Sequence, residues 1–336
     1  MSSAPTADEI AQDATWLAQA LDPSAGMVRL VAMNRDSYRA ASFLDDRLLT
    51  QPIDAQILPW PDVEAGVGRD LRSDARWIFH IGHVGSTLVS RLLGDIECVL
   101  GIREPRLLRD LALSPPEVRH RYIAPIPKLM SRTFAADEVA CVKATSFASE
   151  IAPALVPSGE RALFMYAKPR NYIASILAGE NSLKELNGHL DYRRQRLAGR
   201  GIVFPEPRND AERAAIAWAC EMTSLEAAAD AMADRHVAWE DFDTMLDDIA
   251  AALGRVADFF GFKAAPQEVQ AIADGPLMKR YSKALEYEYS PSLRNELIAE
   301  QISLAGHEID EALAMLGASS EKSLLLARAL ERTREA

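Results

Sequence analysis

The stretch "IFHIGHVGSTLVSRLLG", residues 78–94, sets a short apolar run against a loop carrying Gly82 and Gly85, then passes through Ser86-Thr87 into an apolar-periodic segment. The run before the loop has the length of a strand, and the segment after it has the period of a helix. A strand that turns through glycines into a helix aims several backbone N–H groups and the positive end of the helix dipole at one point, which makes an anion site. Gly82 and Gly85 let the backbone approach the anion, and the Ser86 and Thr87 hydroxyls donate to its oxygens. A nucleotide-hydrolysing loop of the form G-x-x-x-x-G-K-[ST] needs a lysine as well, to reach the β and γ phosphates. Here Gly85 runs directly into Ser86, so that lysine is missing. A glycine turn with a Ser-Thr helix cap and no ligand fits the same spacing.

Outward from the loop the chain alternates. "WIFHI", "CVLGI", "VACVKAT", "RALFMYA" and "HVAWEDF" read as strands. "PRLLRDLAL", "SFASEIAPAL", "RNYIASILAG" and "MLDDIAAALGRVADFFGF" read as helices between or after them. Short, nearly all-apolar strands separated by helices are what a parallel sheet covered on both faces produces. The expected fold is therefore α/β, a three-layer α/β/α sandwich with a mainly parallel sheet and helical additions at both ends. Its core spans 71–262 with a helical insertion at 183–235. Residues 1–70 are expected to form a helix, "ADEIAQDATWLAQAL", followed by an irregular segment packing on the core, and residues 263–336 a helical extension.

Composition narrows the function. The chain has 336 residues, 49% of them hydrophobic, enough for a full core. A net charge of −12 argues against a general nucleic-acid binder, which collects positive charge to displace counterions. Residues 103–132 are a local exception, with seven Arg or Lys against three acids, either a solvated helical face or one wall of an anion-binding cleft. Cys98, Cys141 and Cys220 form no C-x-x-C pair, so neither a disulfide framework nor a cysteine metal site is expected. His80 and His83 lack companions at ligand spacing, and no metal is expected there either. No stretch reaches the roughly 18 apolar residues of a membrane helix, and the acidic opening is unlike a signal peptide, so a cytoplasmic location is expected.

Five segments, in order, carry a resemblance to sulfotransferases. "FHIGHVGSTLVSRLL" resembles their 5′-phosphosulfate loop, "GIREPRLL" the acidic-proline segment after the second strand, and "CVKATSFASEI" a Lys-x-Thr-Ser strand-to-helix turn. "YAKPRNYIASIL" resembles the 3′-phosphate motif, and "VAWEDFDTMLDDIAAALGRVADFFGF" the late strand and helix. The resemblance covers residues 77–262, and the shared order is its strength. It implies a P-loop-type fold, 3′-phosphoadenosine 5′-phosphosulfate (PAPS) as donor, no metal, and a hydroxyl or amine acceptor on a small molecule, lipid or saccharide.

Carried over by position, Gly82, Gly85, Ser86 and Thr87 hold the donor's 5′-phosphate, and the loop's usual cation falls on His83. The 3′-phosphate motif keeps Pro169 and Ser175, but its arginine slot is Ala167, flanked by Lys168 and Arg170. Glu104 matches the family's general base, with pairing to its neighbouring arginines as the plain structural alternative. Lys143 is a cation facing the same cleft. The Tyr- and Lys-rich connector "MKRYSKALEYEYSPSLR" is either a late basic loop over the donor or an ordinary linker, and "DYRRQRLAGRG" either an acceptor-side lid or a solvated helix end. A P-loop kinase-like enzyme and a non-catalytic nucleotide-binding relative remain as alternatives, and self-association is left open.

Overall fold

Four strands run almost wholly apolar and are buried along most of their length, β4 (Arg76–His80), β5 (Val99–Arg103), β6 (Val139–Lys143) and β7 (Arg161–Tyr166), and a fifth, β8 (His236–Asp241), is half polar and more exposed. In the computed structural model, which describes residues 4–50, 52–68, 71–280 and 290–335, they pair in parallel in the order β5-β6-β4-β7-β8. Burial on both sides explains why the four apolar strands show no polar alternation. α1 (Ser86–Gly94) packs on β5 and β6, while α2 (Arg106–Leu113) follows β5. α3 (Pro169–Leu177) and α4 (Asp210–Asp230) pack together, and α4 also meets β4. α5 (Ile249–Phe260) lies against β7 and α1, closed by Gly261 in the left-handed region. The three-layer α/β/α expectation holds.

α4 is buried nearly all round, which its Ala, Trp218 and Cys220 sequence permits, so the 183–235 insertion supplies core as well as surface. In the tail, α6 (Pro291–Ser320), kinked at Ala305, packs on α3 and α4. "SFASEIAPAL" is a 3₁₀ turn, Ser146–Ile151, followed by a four-residue helix rather than one continuous helix. Among the described residues no helix is long and apolar enough to cross a membrane.

The N-terminal segment corrects the sequence reading. Helix stops at Gln12, and the rest of the expected helix is β1 (Trp16–Asp22), paired antiparallel with β2 (Met27–Ala32), which pairs with β3 (Ala55–Pro59). Trp16, Leu17, Ala20 and Leu21 have helical spacing, but both faces of β1 are buried, so alternation is absent and tertiary pairing overrides local propensity. Asp22 Oδ1 accepts from the Ser24 and Ala25 N–H groups, and Gly26 at φ +65° closes the hairpin.

This small sheet is locked to the parallel sheet through buried charge. The Leu21 N–H donates to Asp110 on α2 (2.9 Å), and the Leu44 N–H to the Arg103 carbonyl (2.8 Å). Arg103, 2% exposed, donates to the carbonyls of Tyr38, Arg39 and Ala41. Burial, with the Arg91 charge alongside, lowers its pKa from the usual arginine value. Arg103→Leu is expected to strand those carbonyls and to cost about 2 kcal/mol or more in urea denaturation. A loss below about 0.5 kcal/mol would mean that water replaces the guanidinium there.

Candidate active site

The C-terminal ends of all five parallel strands open on one edge, where ligands of open α/β sheets bind. β4 delivers His80 there, buried and saturated: its Nδ1 accepts from the Gly82 N–H (2.9 Å) and its Nε2 meets the Ala144 carbonyl (2.9 Å). That pattern belongs to the Nε2-protonated tautomer and places His80 as a support for the loop. The loop then takes left-handed φ three times, at Gly82 (+78°), His83 (+54°) and Gly85 (+59°).

Gly85 is dictated twice over. Its φ disfavours any Cβ, and a Cβ placed there would lie 1.9 Å from Phe242 Cζ. Phe242 follows β8 directly, so the β4–β7–β8 registers set the ring on the loop. Ser86 and Thr87 open α1, both buried, and the Thr87 hydroxyl has no hydrogen-bond partner among the described residues.

Glu104 and Lys143 come together from β5 and β6, where Arg103 and Lys143 are in register. The Glu104 N–H donates to the Lys143 carbonyl (2.8 Å), and the Lys143 ammonium pairs with Glu104 Oε1. The partner of Glu104 is thus this lysine, 1% exposed, instead of the adjacent arginines. Glu104 also sits at φ +51°. Among the described residues, His83 and Glu104 are the non-glycines with positive φ, and both line the same cavity. Backbone strain of this kind, about 1–3 kcal/mol per residue, collects at functional sites.

The cavity, about 660 Å³, suits a small-molecule ligand. Its wall brings together Gly82, His83, Gly85, Ser86, Thr87, Glu104, Lys143 and Ser175. Lys168 and Arg170 do not line it. Arg170 pairs with Asp310 on α6 (2.5 Å), and Lys168, at the start of α3, acts on Asp241. The Ser175 hydroxyl donates to the Tyr172 carbonyl (2.8 Å).

Several lining residues carried no local signal. Phe43, Asp45 and Arg47 come from the N-terminal segment, and Phe147 and His189 from the far side. Leu297 and Ile298 come from α6, as does Arg294, which belongs to the basic connector that the sequence offers as a loop over the donor. Arg294, its side chain 12% exposed, lies over the Phe242 ring (5.0 Å) and pairs with Asp243 (2.7 Å), which also accepts from Asn171. Of the connector that contains Arg294, Tyr281, Lys283, Tyr287 and Tyr289 lie outside the described residues. The "DYRRQRLAGRG" stretch is solvated at Gln195, Ala198, Gly199 and Gly201 and buried at two of its arginines. Arg193 and Arg196 are buried against Glu221, and Arg196 and Arg200 both bind Glu150 (2.6 Å each).

No protein-family model and no curated protein matches the chain. One solved structure to which it is similar is a sulfotransferase domain from the curacin biosynthetic pathway. The TM-score is 0.39 and the identity 13%, over 69% of this chain and 97% of that one.

Gly85→Ala is expected to destabilise the fold by about 2 kcal/mol or more, from left-handed strain plus the overlap with Phe242. Adding Phe242→Ala to Gly85→Ala removes the overlap and leaves the strain, so a double-mutant cycle by urea denaturation should show favourable coupling. Additive losses would mean the ring does not press on the loop.

Proposed function

We propose that the chain transfers a sulfuryl group from PAPS to a hydroxyl or amine of a small acceptor. The observation that carries this reading is the Thr87 hydroxyl, buried and without a partner among the described residues at the N-terminus of α1, beside three left-handed loop residues. An unsatisfied buried hydroxyl costs about 1–3 kcal/mol, and a phosphate oxygen seated on the helix N-terminus offsets that cost. The sulfotransferase-like order of motifs from this loop to the last strand supports the identity of the donor. So does a loop with no lysine for a γ-phosphate.

In this reading the backbone of Gly85 and the hydroxyls of Ser86 and Thr87 hold the 5′-phosphate, and His83 adds a donor from the loop. Lys168 and Arg170 are off the wall, and in their place Ser175 and Arg294, which line it, meet the donor's other phosphate. The donor, when bound, supplies an activated sulfuryl group, and fixed N–H groups and cations neutralise the charge that develops as it leaves. Glu104 takes the acceptor proton on the oxygen that Lys143 does not hold, the oxygen that faces the cavity and can reach that proton. Lys143, paired with the other oxygen, fixes the direction in which the Glu104 carboxylate faces the cavity.

Two measurements test this. Thr87→Val replaces an unsatisfied buried hydroxyl with a methyl of the same shape, so the ligand-free protein should gain about 1–3 kcal/mol of stability. 3′-Phosphoadenosine 5′-phosphate at a hundredfold excess over its Kd should stabilise the wild type by about 2.7 kcal/mol and the variant by much less. Stabilisation by ATP with Mg²⁺ alone would overturn the assignment of donor in favour of a kinase-like reaction. Glu104→Gln should retain nucleotide binding and lower kcat by about 10²- to 10⁴-fold. Turnover near the wild-type rate would remove Glu104 from the role of base.

A further inference from the structure

Five cationic side chains stand on the cavity wall among the described residues, and four of them are already neutralised. Arg47 binds both oxygens of Asp45, Arg106 binds Asp46 (2.6 Å) and Asp110 (3.2 Å), Lys143 binds Glu104, and Arg294 binds Asp243 (2.7 Å). The fifth, Arg109, has no carboxylate within ion-pair distance among the described residues. Its guanidinium lies 6.0 Å from the centroid of the Phe147 ring.

The surroundings of Arg109 do not fill this gap. Asp45 feels its charge but is held by Arg47, and Glu185, the remaining carboxylate on the wall, acts on the buried Arg193. His189 stacks edge-on against Phe147 (5.1 Å), and burial, together with the Arg193 charge, lowers its pKa, so it adds no second positive charge at neutral pH. Among the described residues the wall therefore has one uncompensated, fork-shaped donor, Arg109, beside aromatic surface from Phe147, with Phe43 also lining the cavity. A guanidinium pairs best with a planar carboxylate through two parallel hydrogen bonds, and one free cation balances one negative charge.

Arg109 also lies on the first turn of α2, three residues after Arg106 and therefore about 4.5 Å further along the helix axis. That helix starts immediately after Glu104-Pro105. The general base and the free cation thus sit on one rigid strand-to-helix junction.

From this pattern of pairing we infer that Arg109 anchors the acceptor, and that the acceptor is a monocarboxylate carrying its hydroxyl or amine on a flat, apolar body. The inference rests on the transfer reading for the word acceptor. The anchor itself rests only on the charges and rings of the wall. A dianion is disfavoured there, since Asp45 and Glu185 stand on the same wall.

The probes are 4-hydroxybenzoate and its neutral counterpart 4-hydroxybenzamide, each titrated into the full-length chain by calorimetry or ligand-observed NMR. Wild type should bind the carboxylate at least about tenfold more tightly than the amide, as expected for a charge-assisted bidentate pair. Arg109→Gln should abolish the difference, and Arg109→Lys should restore part of it, because the charge returns without the fork. Equal affinity of the wild type for the two probes, or an undiminished preference in Arg109→Gln, overturns the anchor. An Arg109-dependent preference for the carboxylate in a protein that 3′-phosphoadenosine 5′-phosphate fails to stabilise supports the anchor and removes the sulfuryl-transfer reading. Stabilisation by that nucleotide together with no carboxylate preference does the reverse.

Discussion

The contact of the Phe242 ring with Gly85 is the constraint on which the site depends. A ring at the end of β8 can reach the loop after β4 only if β7 lies between them in the observed register. The loop can accept the ring only because Gly85 has no Cβ, and the same absence admits the left-handed turn that starts α1. One contact therefore ties strand order, loop conformation and the direction of the backbone N–H groups together. Arg294 then lies on the outer face of that ring, which makes the C-terminal extension part of the same stack.

The second organising feature is paired charge under cover. Lys143 is nearly inaccessible and Glu104 mostly so, and neither is tolerable there without the other, since an unpaired buried ion costs several kcal/mol. Parallel pairing of β5 with β6 puts them side by side, and the left-handed turn at Glu104 directs the chain away into α2. On the other side of the cavity the buried Arg193, Arg196 and Glu221 form an ionic frame behind Phe147, extended outward by Arg200 and the exposed Glu150. Polar groups fixed by such frames reorganise little when charge develops nearby, which is how an enzyme site differs from a solvated patch.

Parts of this were legible locally. Four of the parallel strands, β4 to β7, were readable from their apolar runs, because a strand buried on both faces has little other composition available. The glycine loop was readable because left-handed backbone needs glycine at two of its positions. β1 was not, since its apolar residues have helical spacing and only pairing with β2 reveals the strand. The cations at the start of α3 sit next to Pro169 and Ser175 in sequence, yet Arg170 points to Asp310 on a helix some 140 residues later, a partner that no local pattern indicates.

By itself the sequence determined what short-range chemistry can encode: strand and helix periodicity, the glycines of the loop, the Ser-Thr pair at the helix start, and a basic bias along residues 103–132. Tertiary structure decided which charges remain available. Arg47, Arg106, Lys143 and Arg294 on the cavity wall each meet a carboxylate, and among the described residues Arg109 on the same wall meets none. The reason is physical: a charge acts according to what lies within a few ångströms of it, and those neighbours come from segments far apart along the chain.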